Sequence, residues 1–317
     1  MKILFTGLGS IGKRHLRLLR EHGERFDFHA YRSGETETET PEDVIEHRSL
    51  DSALESHPDV AFITNPTVEH LSTAIRCASS GCDLFIEKPL SDTISGVDEL
   101  EELVNENNLI TYVGCNLRFT PILKTVRDIL SNNHIGAVLS FRAHAGSYLP
   151  EWRPNQDYRE SYSAAPELGG GVVLDLIHEF DYLYWLLGEM RTVTGHTGQI
   201  SSLEIRSEDI AEVVLETETQ AIGSIHLDYF RRTPKRTLDI TGEYGVIRAD
   251  FNNKTIQVDT TQTTDNYSFD YERDDVYRDQ LEYFISHVRS REECQNNVTE
   301  AKRVLEIATE VKEHDNE

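Results

Sequence analysis

MKILFTGLGSIGKRHLRLL, residues 1–19, is the stretch whose reading decides the fold. Residues 1–6 read as a short buried strand, and Gly7, Gly9 and Gly12 supply a G-x-G-x-x-G spacing. From Ile11 the pattern turns helical, with Leu16, Leu18 and Leu19 on the apolar side. In such a strand–turn–helix, the first glycine permits a tight turn. The second lets the backbone approach a pyrophosphate, and the third lets helix and strand pack closely. The pyrophosphate then meets unpaired backbone N–H groups at the positive helix end, here Ser10 and Ile11. Gly7, Gly9, Ser10, Ile11 and Gly12 are therefore predicted cofactor-binding residues.

Outward from this unit, strands and helices alternate as far as residue 116. Strands are predicted at 26–31, 59–63, 83–86 and 110–114, and helices at 51–57, 68–80 and 97–107. Elements of this length in alternation imply right-handed crossovers and a parallel, doubly wound sheet. The rhythm then changes. A helix at 122–131, a strand at 138–145 and an aromatic-rich loop lead to Gly169–Gly171 and a long apolar helix ending near Gly188. Alternating segments follow near 192–198, 210–217, 221–230, 237–241, 245–250 and 255–258, as expected of an open antiparallel sheet with one solvated face. Helices at 277–290 and 299–313 close the chain. The predicted organisation is α/β: a Rossmann domain over 1–117, then an α+β domain over 118–317 whose terminal helices can pack back on the first.

Composition narrows the function. The chain has 317 residues, enough for two cores, and no apolar run of membrane-spanning length. The first strand begins directly, without a secretion signal. Four scattered cysteines, Cys77, Cys82, Cys115 and Cys294, show no metal-ligand spacing and fit a reducing cytoplasm, so the sequons at Asn253, Asn266 and Asn297 read as chance matches. The formal net charge is −25, and only 8 of the 31 basic residues are lysine. Acidic runs at 35–43 and 313–317 add to a surface that repels nucleic acid and anionic membranes. Acid excess with few lysines points to a protein built for concentrated salt.

Cofactor choice is usually set at the end of the second strand, which runs out here in Tyr31-Arg32-Ser33-Gly34 with no acid before Glu35. Arg32 and Ser33 suit a 2′-phosphate and lean the reading towards NADP; an arginine stacked on adenine with NAD bound is the alternative.

Three further segments carry a resemblance. They are Phe62-Ile63-Thr64-Asn65-Pro66-Thr67-x-x-His70, Glu87-Lys88-Pro89 and Gly114-x-Asn116-x-Arg118-Phe119-x-Pro121. With Gly169-Gly170-Gly171-x-x-x-Asp175 and Thr241-Gly242-Glu243-x-Gly245, they resemble the Gfo/Idh/MocA oxidoreductases over essentially the whole chain. The resemblance implies cofactor contacts from Asn65, Pro66, His70, Glu87, Lys88 and Asn116, and a catalytic Lys88 beside the nicotinamide, often before a cis bond. Lys88 also ends a parallel strand at the carboxyl edge of the sheet, where ligands bind.

The second constellation is Asp175-x-x-His178-x-x-Asp181. On a helix, positions i and i+3 share a face, so Asp175 is expected to orient His178, and a histidine near its usual range can take an alcohol proton. Relatives place the histidine four residues after the aspartate. The shorter spacing leaves His178 and Lys88 as alternative bases. No third ligand accompanies the pair, so no metal is expected there. Substrate contacts are expected from Lys88, Arg118, Trp152, Arg153, Tyr158, Asp175 and His178. The loop 148–162 is either a specificity element or a cover over the sheet, and it resembles a branch associated with nucleotide-sugar pathways. Arg231, Arg232 and Arg236 are placed to reach an anionic substrate. The reading is an NAD(P)-dependent oxidoreductase of a sugar, cyclitol or nucleotide sugar, a homo-oligomeric dimer or tetramer. An NAD-dependent glycosidase using internal redox and a non-catalytic dinucleotide-binding regulator are the alternatives.

Overall fold

The computed structural model describes residues 1–32 and 40–314. The chain divides into two units: Met1–Asn116 with Arg273–Arg303, and Leu117–Glu272 with Val304–Glu317.

In the first unit the elements run β1 (Lys2–Phe5), α1 (Ser10–Glu21), β2 (Asp27–Tyr31), β3 (Val44–His47), α2 (Leu50–Leu54), β4 (Val60–Ile63), α3 (His70–Ser79), β5 (Asp83–Ile86), α4 (Val97–Glu106) and β6 (Thr111–Val113). The strands form one parallel sheet in the order β3-β2-β1-β4-β5-β6, a doubly wound arrangement that reverses direction between β1 and β4. Every residue of β4 and β5 is buried, which is why VAFI and DLFI read as continuous rather than alternating strands. Phe62 and Phe85 stack at 4.7 Å, and Phe284 of α8 (Arg273–Ser290) meets both edge-on. The edge strand β3 was not among the predicted elements. It is only four residues long, mixes buried with partly exposed positions, and follows an acidic run.

In the second unit α5 (Pro121–Ser131) starts with proline in its first turn, capped by the Thr120 hydroxyl, which accepts from the Leu123 N–H. Then come β7 (Val138–Gly146), α6 (Val172–Asp175), α7 (His178–Leu187), β8 (Met190–Gly198), β9 (Ile210–Thr217), β10 (Ile222–Asp228), β11 (Lys235–Gly242), β12 (Gly245–Asp250), β13 (Thr255–Thr260) and β14 (Thr264–Ser268). Their order is β14-β13-β12-β11-β7-β10-β9-β8, and every neighbouring pair is antiparallel except β7 with β10. Helix α6 packs on β9 and β10, α7 on β7, and α5 on β12.

Ile225 and Leu227 of β10 are buried, while Ser224 and His226 alternate with them on the opposite face. That opposite face carries Arg142, His144, Glu212 and His226, with Ile222 as an exposed apolar residue, the polar pattern of a solvated face. Helix α9 (Val298–His314) is divided between the units at Arg303. Among the described residues, no helix is long and apolar enough to cross a membrane.

The long helix predicted after Gly171 is two helices. Leu176 and Ile177 interrupt it as a turn, so Asp175 ends α6 and His178 begins α7. The loop before it is a run of single 3₁₀ turns at Leu149–Glu151, Tyr158–Glu160, Tyr162–Ala164 and Pro166–Leu168.

Candidate functional site

At the carboxyl edge of the parallel sheet, the loops after β1 and β4 meet at the point where strand order reverses. The Thr64 hydroxyl donates to the Gly7 carbonyl at 2.7 Å. Gly7 has φ +131°, a conformation that favours glycine. A Cβ on Gly12 would lie 2.3 Å from the Gly7 carbonyl oxygen, so only glycine lets α1 begin this close to the β1 turn. A Cβ on Gly9 would meet nothing within 4 Å. Gly9 precedes the first turn of α1 without a side-chain cap, so the first amides of the helix, at Ser10 and Ile11, have no intrahelical acceptor. This is a cradle shaped for a dinucleotide pyrophosphate.

The neighbouring polar residues divide into those that can meet a ligand and those that hold the cradle. Lys88 is half-buried at the end of β5, and its peptide bond to Pro89 is cis. His70 is buried, with Nδ1 2.9 Å from the Pro89 carbonyl and Nε2 3.0 Å from the Asn65 carbonyl. Both ring nitrogens are thus engaged with backbone. His70 thereby buckles the loops after β4 and β5 together. Burial pushes its imidazole below the usual histidine range, against the two carbonyls.

Glu87 Oε1 lies 2.6 Å from Nε2 of the fully buried His15, tying α1 to the end of β5. Asn65 turns its amide inward, donating to Thr73 Oγ1 at 2.9 Å and to Glu69 Oε2 at 3.1 Å. Pro66 opens the 3₁₀ turn Thr67–Glu69, and Asn116 is buried at the last residue of the unit.

Arg32 is 8% exposed, donates to Thr40 Oγ1 at 2.8 Å and pairs with Glu46 of β3 at 3.4 Å. The sequence reading did not foresee this carboxylate, which Arg32 shares with Arg48 at 2.7 Å. Ser33 lies outside the described residues.

In the second unit, the polar groups hold one another. Arg118, expected to touch substrate, is 4% exposed and grips Asp181, itself 1% exposed, with Nε at 3.0 Å and Nη2 at 2.7 Å. This buried bidentate pair fixes residues 117–119 to α7. The interrupted helix removes the regular i, i+3 face expected for Asp175 and His178. Instead, the Tyr229 hydroxyl donates to Asp175 Oδ2 at 2.5 Å, with Tyr229 fully buried and Asp175 nearly so. Burial, then the Asp175 charge, pushes the phenol well above its usual range, so Tyr229 stays a donor. His178 is half-buried at the start of α7.

Trp152 stands edge-on to Tyr229 at 5.3 Å and donates through Nε1 to Ser147 Oγ at 2.7 Å. Arg153 lies over the Tyr162 ring at 5.0 Å, and the Tyr158 hydroxyl accepts from the Glu204 N–H at 3.3 Å. Of the late arginines, Arg231 pairs with Asp228, Arg232 lies 3.6 Å over Tyr148, and Arg236 pairs with the buried Glu179 at 2.9 Å. All three have partners within the unit.

Sequence reasoning missed Tyr229, Glu46 and Glu179. Tyr229 follows β10 by one residue, and nothing in its own neighbourhood marks the distant Asp175 as its partner.

Comparison with known proteins aligns with both units. Residues 1–115 match the model "Oxidoreductase family, NAD-binding Rossmann fold" and residues 123–248 the model "GFO/IDH/MocA C-terminal domain". Myo-inositol 2-dehydrogenase of Thermotoga maritima is 27% identical over 313 residues, covering 92% of this chain and 89% of its own. Levoglucosan dehydrogenase of Pseudarthrobacter phenanthrenivorans is 29% identical over 140 residues, 43% of this chain and 35% of its own. A solved levoglucosan dehydrogenase in complex with NADH shares the fold, with TM-score 0.86 and 17% identity, covering 100% of this chain and 97% of that one.

Proposed function

The chain belongs to the Gfo/Idh/MocA oxidoreductases, and on that premise we propose that it reversibly oxidises a secondary alcohol of a sugar or cyclitol with NAD(H). The observation that carries this reading is the glycine cradle, with its open Gly9 and Lys88 ending β5 on the same sheet edge. Inositol and levoglucosan dehydrogenases among the relatives support a polyol ring as substrate. Bound NAD supplies the acceptor for the carbinol hydride at nicotinamide C4.

The protein's own part is to bind, orient and move a proton. The Ser10 and Ile11 amides hold the pyrophosphate. The Lys88 ammonium binds the reacting oxygen and stabilises the negative charge that grows on it as the proton leaves. His178 takes the hydroxyl proton, and Asp175, held by Tyr229, accepts from a substrate hydroxyl. Trp152, Arg153 and Tyr158 line the sugar-recognition loop. In the reverse direction the same groups serve as acids.

The family's NAD-binding description and the Arg32–Glu46 pair support NAD(H) over NADP(H), because Glu46 supplies the negative charge that a 2′-phosphate would bring. Nucleotide sugars belong in the same substrate screen. We also propose homo-oligomeric assembly, which sedimentation showing only monomer in dilute buffer and in concentrated salt would exclude.

The decisive assay mixes the protein with NAD or NADP and a panel including myo-inositol and levoglucosan, and follows reduced nicotinamide by absorbance. Net reduction that falls about a thousandfold or more in Lys88→Ala, with cofactor affinity retained, is the expected result. His178→Asn should remove the acidic limb of the pH–rate profile. If Lys88→Arg moves that limb instead, the proton belongs to Lys88. Glycoside cleavage without net reduction would support the internal-redox alternative, and cofactor binding without turnover the regulator.

A further inference from the structure

On the face of the large sheet opposite α6 and α7, two histidines and an aspartate converge from adjacent strands. His144 of β7 and His226 of β10 are direct partners in the parallel pair, and Asp228 lies two residues further along β10 on the same face. The two imidazole rings are 4.4 Å apart. Asp228 Oδ2 is 3.0 Å from His226 Nε2 and 3.9 Å from His144 Nε2, and one donor atom from each of the three residues lies within 4.8 Å of the others.

Two features go beyond proximity. His144 Nε2 is buried and makes no hydrogen bond, although it points at a carboxylate and a second imidazole. His226 faces carboxylates through both nitrogens, Glu212 at Nδ1 and Asp228 at Nε2. A neutral imidazole has one N–H and satisfies only one of them. A cation must therefore sit between His226 and its second carboxylate, either a proton or a metal ion.

We propose that His144, His226 and Asp228 form a binding site for a divalent transition metal of the zinc class. Two imidazole nitrogens and a carboxylate oxygen are a ligand set that zinc accepts in tetrahedral geometry, with water completing the shell. Glu212 then holds the other nitrogen of His226, as the outer partner of a metal-bound histidine commonly does. The main-chain N–H of Arg231 donates to Asp228 Oδ1 at 2.8 Å and its Nε to Oδ2 at 3.0 Å. These bonds fix the carboxylate and leave lone-pair capacity for the ion, since an ionised carboxylate accepts about four bonds. The site is independent of the redox reading. It pins the ends of β7 and β10 together where they lead into Ser147 and Tyr229, whose backbones already pair with Asp228 and Leu149.

The test titrates zinc into the full, chelator-treated chain against a chromogenic chelator. The wild type should bind one ion per chain, about tenfold or more weaker in His144→Ala and in His226→Ala. His57→Ala, at an exposed histidine of the first unit, should match the wild type. Cobalt(II) added to the intact wild type should give the visible absorption of a tetrahedral nitrogen–oxygen site, a readout that does not depend on the variants folding. A wild type with no stoichiometric zinc and no cobalt spectrum, or binding indifferent to both histidines, overturns the proposal and leaves a proton between His226 and Asp228.

Discussion

The β4–β5 edge of the first unit and the β7–β10 end of the second each hold a histidine with an acceptor at both ring nitrogens, and the two behave in opposite ways. His70 faces the carbonyls of Asn65 and Pro89, and burial pushes it below its usual range. His226 faces the carboxylates of Asp228 and Glu212, and their hydrogen bonds raise it against the pull of burial. Hydrogen-bond number is the same, so the deeper burial of His70 and the charge of the acceptors around His226 decide. The contrast extends outward. The cofactor cradle is shaped chiefly by backbone, through Gly7, Gly12 and two carbonyl contacts. The second unit is held by ionised pairs such as Arg118–Asp181 and Arg236–Glu179.

The strongest way to break this comparison is Arg118→Ala. It strands the buried Asp181 charge and should cost about 3–5 kcal/mol by denaturant unfolding. Adding Asp181→Ala should recover part of that loss. A cost under about 1 kcal/mol would mean that the second unit does not depend on its charges.

The backbone-built half is tested at two glycines. Gly12→Ala forces a Cβ against the Gly7 carbonyl and should cost about 1–3 kcal/mol of strain, weakening NADH binding up to about a hundredfold. Gly9→Ala meets no protein atom, so thermal stability should stay while calorimetric NADH affinity falls. Equal loss of stability in both would place the role of these glycines in the fold rather than in ligand approach.

The smallest effect sharpens the histidine contrast directly. A histidine lowered in the folded state binds fewer protons there than when unfolded. Its stabilising share is complete above the usual histidine range and is lost as pH falls through that range towards the folded value. His70→Gln should therefore flatten the acid side of the stability curve by at most about 1.4 kcal/mol per pH unit. An unchanged slope would show that His70 does not set it.

These same contrasts explain what was legible beforehand. The glycine spacing was, because turn, approach and close packing are demands of covalent geometry within a dozen residues. The fully buried strand β5 was predicted at its observed bounds, since a run with no polar face has one place to go. Lys88 stood out because it ends that strand. The Arg118 ion pair was not legible because its partner is 63 positions away, and nothing in its own segment reveals a buried carboxylate. The Asp175 and His178 spacing suggested one helical face, but the chain turns at Leu176 and Ile177, and Asp175 takes its hydrogen bond from Tyr229 instead. Arg32 looked like a phosphate ligand because Glu46 sits on an edge strand too short to announce itself. Local geometry is written locally; charge pairing across strands is not.

Strand β7 lies in the middle of the large sheet, yet both its neighbours, β10 and β11, come much later in the chain. At translation rates of ~5–20 residues per second, β7 leaves the ribosome several seconds before either partner exists. For that interval it is an orphan ribbon with two bare edges, the condition that invites intermolecular pairing. Arg142 and His144 on its outward side are then gatekeepers of a half-made protein, guarding a strand whose position in the sheet has still to be synthesised around it.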